Sequence, residues 1–238
     1  MENINMCLCM CNSNNTAMLQ KVLLNYGIVC NVAESPELAY DLINTSKSRF
    51  LFLDLDFSDN KSFELLKTIK EDSSLSGLFI LTTSLDASPV IIKKLQIYSV
   101  ISFLIKPLSQ DVVANKINLL LEKFRDHFPA RKHVRITPDV DELLRVNFRL
   151  KDKKRLSGKI IDISLGGMAF ELYSAYQSTE LTKGSLLEHL LFEVHNKQVD
   201  SDAKIVNISN TLLAVNFTHF YEKSYEYLVK YIMKKVSV

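Results

Sequence analysis

Two arginines four residues apart, Arg131 and Arg135 in the run ARKHVRI, are a first pair whose type and spacing suggest chemistry. A guanidinium is a planar, permanently charged fork that pairs with phosphate oxygens and stacks on bases. Further along, Asp162-Ile163-Ser164-Leu165-Gly166-Gly167 follows an apolar alternation. It offers a carboxylate acceptor, a hydroxyl and backbone that can be approached without a Cβ. Taken separately, each segment has a plain reading. RxxxR is a solvated basic pair, and DISLGG is a hairpin corner with Asp making a side-chain turn and the glycines supplying positive φ. Asp54 and Lys106 each stand at the end of an apolar run. Cys7, Cys9 and Cys11 alternate with Leu8 and Met10, which predicts a strand with its cysteines on one face. Neighbouring cysteines would then stand about 6.6 Å apart, too far for three thiolates to close on one zinc. With Cys30, they are expected to pack as small buried hydrophobes, and no metal site is expected. No nucleophile–base pair, HExxH zinc helix or glycine-rich phosphate loop is present. The expectation is a binding protein, not an enzyme.

The elements that position these residues fall into two patterns. Ile4–Met10, Ile28–Val32, Phe50–Leu55, Leu78–Thr82 and Ile101–Leu104 are short apolar runs alternating with amphipathic stretches such as Phe63, Leu66 and Ile69. Ser35-Pro36-Glu37 predicts a helix start: a capping hydroxyl, a first-turn proline and an acid near the positive end of the dipole. Five strands alternating with helices imply a doubly wound parallel sheet covered on both faces, with ligands at the carboxyl ends of its strands. From about residue 128 the pattern changes to alternating strands with short turns, which favours a small antiparallel barrel. Tyr221, Tyr225, Leu228, Ile232 and Val236 then share a face of a closing helix. The expected domains are 1–127 and 128–238. Only His127, Phe128, Pro129 and Ala130 separate the last amphipathic stretch of the first from Arg131, with no Gly/Ser-rich linker, so a stiff join is expected.

The first half resembles a receiver domain of two-component signalling. FLFLDLD (Phe50–Asp56), ILTT (Ile80–Thr83) and FLIKP (Phe103–Pro107) are similar to its acceptor strand, its hydroxyl strand and its Lys-Pro strand end. The resemblance implies Asp54 as acceptor, Thr82 as hydroxyl, Phe103 as aromatic and Lys106 as phosphate-pairing cation. The acidic pair that holds magnesium in such domains is replaced here by Met10-Cys11-Asn12-Ser13, and no Asp or Glu occurs between Glu2 and Glu34. Magnesium prefers carboxylate and water oxygens, so Asp54, Thr82 and Lys106 are expected to be vestigial. The second half resembles a PilZ domain, whose RxxxR and [D/N]xSxxG motifs it matches in order. That resemblance implies a receptor for cyclic di-GMP, with Arg131, Arg135, Asp162, Ser164 and Gly167 at the ligand. Arginine forks meet guanine O6 and N7, and Asp162 can accept from guanine N–H groups. Signalling would proceed by interdomain or partner rearrangement.

The chain has 238 residues, 47% apolar and 24% charged, a composition that supports a real core and excludes dominant disorder. With no secretory or membrane-spanning pattern, a cytoplasmic location is expected. Up to residue 125 there are 12 basic and 13 acidic residues, and beyond it 17 and 14. Much of this excess lies in Arg145, Arg149, Lys151, Lys153, Lys154, Arg155 and Lys159. A solvated turn between two strands is the preferred reading, and a phosphate-facing surface the sharper one. The partners expected are cyclic di-GMP and a downstream protein, with nucleic acid disfavoured. The alternatives are a response regulator phosphorylated on Asp54 and a nucleic-acid-binding regulator using Arg145–Lys159.

Overall fold

The computed structural model describes residues 4–124, 133–139, 141–175 and 181–236. Two compact units, Met1–Arg131 and Lys132–Val236, make up the chain.

In the first unit, β1 (Ile4–Cys9), β2 (Ile28–Ala33), β3 (Phe50–Asp54), β4 (Phe79–Ser84) and β5 (Ser102–Ile105) form a parallel sheet in the order β2-β1-β3-β4-β5. They alternate with α1 (Ser13–Leu24), α2 (Pro36–Thr45), α3 (Lys61–Glu71), α4 (Pro89–Ile97) and α5 (Gln110–Lys123). This is the doubly wound order in which the chain reverses direction at β1. Alternation along β1 sends Met6 and Leu8 into one core with residues of α1 and α5, and Cys7 and Cys9 into the other with residues of α2 and α3. The expected helix start is in place: Ser35 Oγ accepts from the Leu38 amide at 3.5 Å, with Pro36 in the first turn. Asn12 caps α1 by accepting from Asn14 N at 2.8 Å. The cysteine expectation needs one correction. The strand ends at Cys9, and Cys11 lies beyond it, exposed, while Cys7, Cys9 and Cys30 are buried.

The second unit is a closed barrel of β6 (Arg145–Arg149), β7 (Arg155–Ser164), β8 (Gly167–Leu172), β9 (Leu186–Val194), β10 (Lys197–Ser209) and β11 (Leu212–Phe220), in the order β10-β11-β8-β7-β6-β9. Val146, Phe148, Ile160, Phe170, Leu190, Phe192 and Val215 fill its core. The closing helix α6 (Ser224–Val236) buries Leu228 and Ile232 as expected, and also Val229 and Tyr231. The Tyr231 hydroxyl donates to Glu142 Oε2 at 3.0 Å. Closure is thinnest between β6 and β9, which pair only at Val146↔Phe192 and Asn147↔Leu191. Among the described residues no helix is long and apolar enough to cross a membrane.

Candidate functional site

On the barrel, β7 and β8 are joined by the tight turn of DISLGG, with Ser164 opposite Gly167. Ser164 Oγ donates to the Gly167 carbonyl at 3.1 Å, and the side chain is buried. Neither glycine adopts a positive φ, so the expectation drawn from turn chemistry is corrected. Both are required for close approach. A Cβ on Gly167 would lie 2.1 Å from the Val215 carbonyl oxygen, and one on Gly166 would lie 2.3 Å from Cδ2 of His133. Strand β11 therefore presses directly on the turn, and the His133 ring covers it from the arm.

The arm is tied to β7 by a two-residue bridge. Ile136 N donates to Ile163 O at 2.8 Å, and Ile163 N donates back to Ile136 O at 2.9 Å. Val134 and Ile136 are buried, so Arg135 between them faces out. Its Nη1 reaches Asp162 at 3.3 Å to Oδ2 and 3.4 Å to Oδ1. The two side chains remain 46% and 25% exposed. One nitrogen split between two oxygens at this distance is a loose pair, unlike a two-nitrogen fork. The structure thus brings Arg135, Asp162, Ser164 and Gly167 together, with Ser164 and Gly167 committed to the turn itself. Arg131 and the segment joining the two units lie outside the described residues.

In the parallel-sheet unit the strand ends carry a different polar group. Asp54 is fully buried, and Lys106 Nζ donates to both of its carboxylate oxygens at 2.7 Å. The amides of Cys11 and Asp56 supply further donors at 3.2 and 3.1 Å. Lys106 also reaches Asp56 Oδ2 at 2.8 Å, while Ser84 Oγ and the Leu85 amide hold the Asp56 carboxylate at 2.5 and 3.0 Å. Burial alone would raise the Asp56 carboxyl, but the bonds from Lys106 and Ser84 outweigh it and hold its pKa below the usual range. Burial likewise opposes charge on Lys106, yet its two carboxylate partners raise its pKa above the ordinary lysine value. Desolvation, reinforced by Asp54, pushes the Cys11 thiol up to about 12. It stays protonated at neutral pH.

Asp56 is the residue sequence reasoning missed. Its signal was the D-x-D spacing at the end of β3. Thr82 is buried and stands in register with Leu53, one position before the Thr83 that faces Asp54; it takes no part in the bonded cluster. Phe103 is half-buried in β5. Among the described residues no group of three or more His, Cys, Asp or Glu side chains could hold a metal ion. Asp54 and Asp56 bring two carboxylates together, but Lys106 bonds both of them and a thiol, that of Cys11, stands beside Asp54, so the site does not suit magnesium.

Residues 129–234 match the family model of the PilZ domain. The PilZ domain with c-di-GMP of YcgR from Escherichia coli is 20% identical, with a TM-score of 0.40, over 45% of this chain and 92% of its own. The chemotaxis protein CheY4 of Vibrio cholerae is 15% identical, with a TM-score of 0.47, over 50% of this chain and all of its own. A two-component response regulator from Clostridium difficile is 22% identical over 50% of this chain and 97% of its own, with a TM-score of 0.46. No curated protein matches. The barrel is a PilZ domain, and it follows a domain of receiver-like fold.

Proposed function

We propose that the chain is a cyclic di-GMP receptor whose binding unit begins at residue 128. The observation that carries this reading is the Arg135–Asp162 pair, loose, half-exposed and set beside a turn that admits no Cβ. In the unliganded state the two charges screen each other. A guanine offers each a better partner: O6 and N7 for the arginine fork, and ring N–H groups for the carboxylate. Arg131, four residues back along the arm, supplies the second cation for a dianionic ligand. Ser164 and Gly167 act indirectly by fixing the turn. The protein works by binding and not by catalysis, in the cytoplasm, and passes its signal through rearrangement of the arm to the receiver-like domain or to a downstream protein. The receiver-like domain serves as a scaffold, because both Asp54 oxygens are already held by Lys106.

Titration calorimetry with cyclic di-GMP tests the assignment. Arg135→Ala should lose about 1–3 kcal/mol of binding, the cost of a bidentate arginine–guanine contact. Arg131→Ala should behave similarly. Parental affinity in both variants would overturn the site.

A further inference from the structure

The outer face of the β6–β7 hairpin carries a second cationic surface. Its register places Arg145 opposite Lys159, Asn147 opposite Ser157, and Arg149 opposite Arg155. The residues between them, Val146, Phe148, Leu156 and Gly158, face inward and are buried. The exposed ladder therefore has two like-charge rungs flanking a neutral one, in which Ser157 Oγ donates to Asn147 Oδ1 at 2.8 Å. Like charges directly opposite on a sheet destabilise it. No ion pair among the described residues relieves Arg149, Arg155 or Lys159, and Arg145 lies only over the Tyr173 ring, 5.9 Å from its centroid. The nearest acid in register, Glu171 opposite Lys159, accepts from Thr211. The connecting turn contains Lys151, Asp152, Lys153 and Lys154.

Beside this ladder lies an open cleft of about 770 Å³, with an apolar floor of Phe148, Leu156 and Leu191, a rim of Arg149 and Arg155, and Glu188. A second cleft of about 760 Å³ lies past Arg145, shares Asn147 and Leu191 with the first, and has Glu142 and Glu193 in its lining. Together they form a shallow groove along β6.

We propose that this face docks the phosphodiester backbone of duplex nucleic acid. The cationic rungs stand about 13 Å apart along the strand and about 5 Å across it, and the neutral rung supplies hydroxyl and amide groups of the kind that also bond phosphates. The three rungs carry no apolar residue of their own, although Tyr173 and Ile161 are exposed nearby, and protein–DNA interfaces are polar and strongly cationic. The turn likewise exposes no apolar side chain for a lipid surface, since Leu150 is buried. The proposal is independent of the cyclic di-GMP reading.

The test is titration of the full-length protein, without dinucleotide, into a fluorescent 20-base-pair duplex over a range of salt. Four backbone contacts should give a slope of log affinity against log salt of about −3.6, with little dependence on base sequence. Arg149→Glu turns one repulsive rung into an attractive one. Its melting temperature should equal or exceed the parent's, while duplex affinity falls at least ten-fold and the slope flattens by about one or more. Absence of duplex binding at low salt, parental affinity in Arg149→Glu, or binding to phosphatidylserine vesicles but not to duplex would each overturn it.

Discussion

Lys106 with Asp54 on the parallel sheet, and Arg135 with Asp162 on the barrel, are the same chemical combination built to opposite ends. The first has a carboxylate with no exposed surface, two contacts of 2.7 Å, and two backbone amides completing its shell. The second is reached from one nitrogen at 3.3 and 3.4 Å, and a quarter or more of each side chain remains in water. A buried charge whose bonding capacity is filled within the protein has little left to offer a ligand. A half-solvated pair whose three guanidinium N–H groups beyond Nη1 make no bond among the described residues can exchange partners at small cost. The difference separates a charge pair closed within the fold from one left open to exchange, as the proposed function requires.

That contrast can be broken in three places, in falling order of effect. Lys106→Met should destabilise the parallel-sheet domain by about 3–5 kcal/mol, the usual cost of stripping one partner from a buried pair. Chemical denaturation read by circular dichroism measures it; a loss below about 1 kcal/mol, the range of exposed pairs, would erase the distinction. Gly167→Ala should destabilise the barrel by about 1–3 kcal/mol, because the added methyl forces β11 away from the turn. Loss of cyclic di-GMP binding should accompany it, and hydrogen exchange along β8 and β11 would localise the damage. Asp162→Ala should change stability by less than about 1 kcal/mol, as for any exposed pair. A larger loss in thermal unfolding would mean that the barrel pair is structural after all.

The sheet strands were legible because strands buried on both faces read as near-continuous apolar runs bounded by turn signals. The barrel strands were harder. Bulges at Ile160/Asp162, Asp202/Ala203 and Ile205/Asn207 interrupt the alternation along β7 and β10 and blur their ends in the sequence. β8 starts at the glycine that ends the motif, with no boundary of its own. At the sites, Arg135 and Asp162 were found through their motifs, and Asp54 and Lys106 through their strand ends. The role of Asp56 depends on Ser84 and Lys106, which reach it from two other strand ends, and no local pattern encodes that meeting. The positive φ read from turn chemistry is absent at the two glycines, and the atoms that forbid a side chain there belong to Val215 and His133, both distant in sequence.

The crowding around Gly166 and Gly167 has a consequence for how such motifs drift. Whether or not a barrel of this kind binds a nucleotide, it is held to glycine at residue 167, because β11 would have to move before any other residue fitted. Arg135 and Asp162 face water and answer to no such neighbour, so they would be the first letters to change. In a lineage of these barrels, the intact glycine would record ancestry, and the intact arginine and aspartate would record use.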